Sequence, residues 1–168
     1  MQGFRIVEEA EMAYERLEEA LRQLKTDRER AEATKQQQKK AATESRTQFA
    51  RLKSVVIGPV FNEVAVRLEA EGFFAESVDD QNDPASPISL NVNLSEDEGL
   101  TLQGSIQVRF DPDKNTCEFG KSTMAETSPT HQIVFNDGHH QLEDINEQLI
   151  REAAEQFVLD LIAENNFH

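Results

Sequence analysis

Three histidines stand close together late in the chain: His131, His139 and His140, around Asp137. Imidazole and carboxylate are the ligands that zinc and other transition metals take. His139 and His140 are adjacent, however, and neighbouring side chains on a strand or helix point apart. His131 shares parity with Ile133 and Phe135, which places it at the end of an apolar face. The group reads as ordinary polar side chains near a turn, so no metal ligand is assigned. Cys117 shares parity with Phe119, which predicts a buried, inert thiol. No cation stands beside it in the sequence to lower its pKa. Asp79, Asp80 and Asp83 fall in VDDQND, but the glycine and terminal glutamate of a calcium-binding loop are missing. No phosphate-binding glycine loop, dinucleotide fingerprint, nucleophile elbow or HExxH helix occurs. Carboxylates are many, and none has a spacing suited to acid–base work. The sequence therefore assigns no catalytic residue and no cofactor.

The 168 residues suit one domain, or one domain with an extension. Thirty-two acidic and 17 basic side chains give a formal charge of −15. Apolar residues make up 38%, below the globular average, but ten Phe argue against a wholly disordered chain. No run of 18 apolar residues occurs, so no membrane-spanning helix is predicted. The first residues, MQGFRIVEEAEMAYERL, place Glu where a secretion signal needs an apolar stretch. One cysteine cannot make an internal disulfide. These features predict a cytoplasmic protein.

Charge divides the chain in three. Residues 1–24 carry net −3, residues 25–53 net +5 and residues 54–168 net −17. The last part also holds eight of the ten Phe and all five Pro, so composition shifts near residue 54. The expected organisation is a helical, coiled-coil-like stalk over 1–57 and an acidic α+β domain over 58–168.

Residues 4–57 contain neither Gly nor Pro and are dominated by good helix formers. A heptad stepped from Val7 passes through Ala10, Tyr14, Leu17, Leu21 and Leu24, and ends on Phe49, Leu52 and Val56. Between these apolar ends it meets Arg28, Lys35, Gln38 and Ser45, a poor seam. Two forms fit: one continuous helix of roughly 80 Å at about 1.5 Å per residue, or a hairpin that folds Leu17–Leu24 back onto Phe49–Val56. Thr26 and Glu29 have the capping-box spacing that would restart a helix after a turn. No Gly, Asn or Pro marks a turn between 26 and 48, which favours the continuous helix. Either form needs a partner surface, because so narrow a stripe does not hold a lone helix. Self-association, with a dimer the leading case, is expected through Val7, Tyr14, Leu17, Leu21, Leu24, Phe49, Leu52 and Val56.

Gly58-Pro59 predicts a kink or a fresh helix start. Gly72 then fits the C′ position of a Schellman ending, with Leu68 at C3 and Phe73 at C″. Phe73–Ala75 suggests the beginning of a short strand, and residues 77–87 read as a loop. Ile88, Leu90, Val92 and Leu94 alternate with polar residues, as do Leu100, Leu102, Ile106, Val108 and Phe110 with Gly104 in phase. SEDEG is a hairpin loop between them. A third strand is expected around Cys117 and Phe119 and a fourth at HQIVFN. A final helix is expected over 141–165. The fold class is therefore α+β: a long helix, then a four-stranded antiparallel meander covered on one face by two helices. At the level of architecture this order resembles the small α+β modules that follow coiled coils in kinetochore subunits, with no shared motif.

The basic stretch 25–53 favours phosphate, but the acidic remainder repels a duplex, and the polar sheet face lacks a stacking platform. Nucleic acid is disfavoured. The expected function is a non-catalytic oligomeric scaffold or adaptor whose acidic domain docks a partner protein with a basic patch. The alternative is an acidic chaperone or nucleic-acid mimic that masks such a patch on a client. Secretion chaperones are likewise small, acidic and dimeric, though the long helix departs from them.

Overall fold

The computed structural model describes residues 2–95, 102–124 and 138–165. The order begins with a long helix α1 (Gln2–Leu52), a π-helical turn (Lys53–Ile57) and α2 (Gly58–Ala70). Strands β1 (Phe74–Asp79), β2 (Ile88–Asn93), β3 (Gln103–Asp111), β4 (Thr116–Met124) and β5 (His139–Gln141) follow. A 3-10 turn (Leu142–Asp144) leads into α3 (Glu147–Asn165). The chain forms two compact units, Met1–Ala41 and Ala42–His168.

α1 continues through residues 26–48 without a turn. Thr26 does not cap a new helix; its hydroxyl donates to the Arg22 carbonyl at 3.0 Å, one turn back in the same helix. Pro59 cannot donate to the ladder, and the helix absorbs this by widening ahead of it. The Gly58 amide reaches back five residues to the Lys53 carbonyl, closing the π turn. α2 then ends as expected. The Phe73 amide donates to Leu68 at 3.0 Å and the Gly72 amide to Glu69 at 3.0 Å, with Gly72 at φ +91°.

The strands pair in sequence order, every pair antiparallel. Among the described residues the sheet has five strands, where four were expected. Residues 77–79, expected in a loop, extend β1, where Ser77 pairs with Leu90 and Asp79 with Ile88. The alternation of β2 offers a ladder that the polar residues of β1 can join, a tertiary effect that outweighs their weak β propensity. The expected strand at HQIVFN and most of the SEDEG loop lie outside the described residues.

The final helix begins at Glu147, not at 141. Asn146 caps it: its side-chain oxygen accepts the Leu149 amide at 2.9 Å. Residues 139–141 instead form an edge strand on β4, and Leu142 and Ile145 are buried from the short turn that follows.

One sheet face is apolar. Ala75, Ile88, Leu90, Val92, Ile106, Val108, Cys117 and Phe119 are buried there with Phe61 and Val60 of α2 and Ile150, Ala154, Phe157 and Leu161 of α3. Two helices were expected over this face, but the core also takes Phe49 from the end of α1 and Ile57 from the π turn, both fully buried. Phe49 stacks on Phe110 with ring centroids 5.6 Å apart.

Candidate functional site

The apolar stripe of α1 divides into two groups. Ile6, Val7, Tyr14, Leu17, Leu21 and Leu24 are between 45% and 68% exposed. They share one side of a helix whose opposite sides carry Glu8, Glu9, Arg16, Glu19 and Arg22. Phe49, by contrast, is fully buried, and Leu52 and Val56 pack partly buried against the same core as the sheet. Those three residues serve the unit Ala42–His168. The heptad register does not distinguish the groups, because apolar residues recur at the same spacing in both.

Lys53 ends the basic stretch 25–53, yet its side chain is only 3% exposed. Its ammonium pairs with the Asp79 carboxylate and donates to the Ser86 carbonyl at 2.9 Å, the Ser86 hydroxyl at 3.2 Å and the Asp83 carbonyl at 3.4 Å. Phe49 lies 6.0 Å below it. The loop after β1 is folded around this charge: the Asp80 carboxylate accepts the Asn82 amide at 2.9 Å, and that of Asp83 accepts the Ala85 amide at 3.1 Å. The aspartates that suggested a calcium loop are thus gathered round an ammonium or turned onto their own backbone. A basic residue next to a stretch of acids 26 positions away is too common a pattern for the sequence to have revealed this pair.

The other face of the sheet is polar. Ser89, Asn91, Asn93, Gln103, Ser105, Gln107 and Ser122 line an open trough of about 440 Å³, with Phe74 and Glu76 at the β1 side. Ser105 donates to the Asn91 side-chain oxygen at 2.8 Å. Apart from Phe74 and Glu76, these side chains are amides and hydroxyls, able to donate and accept hydrogen bonds.

Further along this face Arg109, Glu118 and His139 form a cross-strand row on β3, β4 and β5. Arg109 Nε donates to Glu118 at 2.6 Å, and His139 Nδ1 lies 2.9 Å from the other Glu118 oxygen. Lys114 Nζ stands 3.0 Å from His139 Nε2, 3.8 Å from Asp111 and 3.9 Å from Glu118. Burial raises the Asp111 carboxyl, but the Lys114 and Asp113 amides and the charges of Lys114 and His139 hold it below its ordinary value. The ligand atoms of Asp111, Glu118 and His139 lie within 4.8 Å of one another, a spacing a divalent cation can use. Arg109 and Lys114 already face these two carboxylates, so a metal would have to displace the Lys114 ammonium. His140 points to the opposite face and meets Phe119 edge-on at 5.0 Å, so the adjacent histidines diverge as their spacing implied. His131 and Asp137 lie outside the described residues.

Cys117 is fully buried on the core face, and burial pushes its thiol up to about 12. Among the described residues no helix is long and apolar enough to cross a membrane. Compared with family models, with curated proteins and with solved structures, the chain matches none.

Proposed function

We propose that this protein is a non-catalytic, oligomeric interaction protein that assembles through α1 and docks a basic partner protein on its acidic α+β unit. The observation that carries this reading is the exposed stripe Val7, Tyr14, Leu17, Leu21 and Leu24. Burying a Leu contributes about 1.5–3 kcal/mol, and a helix of this kind draws its stability from a packed apolar face. A second copy supplies the matching stripe. The acidic surplus supports the docking half of the reading. All five basic residues after Ser54 already lie within 4.0 Å of a carboxylate of their own unit: Arg67, Arg109, Lys114, Lys121 and Arg151. Other acids, among them Glu69, Glu71, Glu152, Glu155 and Glu164, face solvent. A surface of this sign speeds encounter with a basic partner and selects it.

Light scattering at tens of micromolar is expected to give the mass of a dimer or larger assembly. Leu17→Asp with Leu21→Asp should weaken that assembly by more than about a thousandfold, since each copy loses two buried Leu. Circular dichroism should show the sheet retained. A monomeric mass for the unaltered chain would end the proposal.

A further inference from the structure

The charges along α1 distinguish the two directions in which a second copy can lie. We propose that it lies antiparallel, with Val7–Ala31 of one chain alongside Ala31–Val7 of the other, centred on Glu19; this rests on the self-association argued above. The stripe free to pair ends before Ser45, because Ser45, Phe49 and Lys53 are buried within the unit Ala42–His168. Two pairings then bury the same side chains. A parallel, in-register pair sets Tyr14, Leu17, Leu21 and Leu24 each against itself. It then sets Arg28 on Arg28 and Lys35 on Lys35, with like charges in the seam. The antiparallel pair sets Leu17 on the partner's Leu21, Tyr14 on the partner's Leu24, Val7 on the partner's Ala31 and Ala10 on the partner's Arg28, so Arg28 meets a small apolar residue rather than its own copy. The apolar area is similar, so burial does not choose.

Charge does choose. Residues 7–18 hold five Glu and one Arg, net −4; residues 20–31 hold four basic and two acidic residues, net +2. The parallel pair lays −4 on −4 and +2 on +2. The antiparallel pair lays −4 on +2 at both ends, and flanks the seam with Glu11 opposite the partner's Lys25 twice. One like-charged contact, Glu18 with its own copy, falls at the centre. Sliding the antiparallel pair one heptad shorter puts Glu11 on the partner's Glu18 twice. Sliding it one heptad longer puts Leu17 on the partner's Arg28. Interhelical charges of this kind set orientation and register rather than raw affinity.

The test is pulsed electron–electron distance measurement on the full chain, spin-labelled at Glu8→Cys or, separately, at Glu19→Cys. Cys117 does not compete for label, being fully buried with its thiol pushed up to about 12. In the antiparallel pair the two Glu8 positions lie 22 residues apart along the axis, about 33 Å at about 1.5 Å per residue. The two Glu19 positions lie no more than about 20 Å apart, the width of two helices. Equally short distances at both positions would overturn the orientation and leave the assembly standing. A monomeric mass with no dipolar signal at either position would remove the assembly and the orientation together.

Discussion

Lys53 shows how one side chain can organise a loop that its own neighbourhood does not announce. An ammonium is costly to bury unless hydrogen bonds replace its water, and Lys53 meets that condition with one carboxylate, two carbonyls and a hydroxyl. Lys53→Met keeps most of the stem volume and strands the Asp79 carboxylate and the inward carbonyls. Breaking a buried pair costs about 3–5 kcal/mol, and Asp79 is one-fifth exposed, so a loss of about 3 kcal/mol is expected in urea unfolding. A loss below about 0.5 kcal/mol, the scale of an ordinary surface change, would mean that the loop after β1 holds itself. Cys117 and the adjacent His139 and His140 were legible at this scale, because parity along a strand assigns faces without knowledge of any partner. Lys53 and the Arg109–Glu118–His139 row were not, since each joins residues from different elements.

At the scale of elements, endings written in backbone chemistry were readable. Gly72 closes α2 because glycine takes a positive φ without strain, and both amide bonds of the Schellman ending form. The start of α3 was misread because Leu142 and Ile145 fit a helical stripe equally well as residues of a buried turn. Asn146, the residue that does cap the helix, stands among other polar residues that could have done so. Gly104 carries a packing role that alternation alone marked only as being in phase. A Cβ there would come within 2.9 Å of the Phe157 ring and 2.9 Å of the Ser122 carbonyl. The ring of α3 therefore sits where a side chain of β3 would stand. Gly104→Ala is expected to cost about 1–3 kcal/mol, as overpacking does, measured by thermal or chemical unfolding. Unchanged stability would mean that α3 moves off the sheet freely.

At the scale of the whole molecule, the compact C-terminal unit reaches back beyond the point where composition changes. Composition shifts near Ser54, but Phe49 and Lys53 lie in the core and loop contacts of the unit Ala42–His168. A chain beginning at Ala42 should fold cooperatively. One beginning at Ser54 loses a buried Phe, at about 3–5 kcal/mol, as well as the Lys53 clamp, and should unfold at much lower urea or aggregate. Equal stability of the two would show that the last turns of α1 contribute nothing to the sheet. The sequence by itself determined the α+β class, the alternating strands β2 and β3, the glycine stop of α2 and the strong acidic balance; it favoured the continuous helix over a hairpin without deciding between them. Each of these follows from local period, propensity or composition, which a chain carries wherever it folds. The tertiary structure alone decided that one apolar stripe is divided between an exposed face and a core, that a stalk lysine organises a distant loop, and that weakly apolar residues become edge strands. Those outcomes depend on which distant surfaces meet, and spacing along the chain does not encode that meeting.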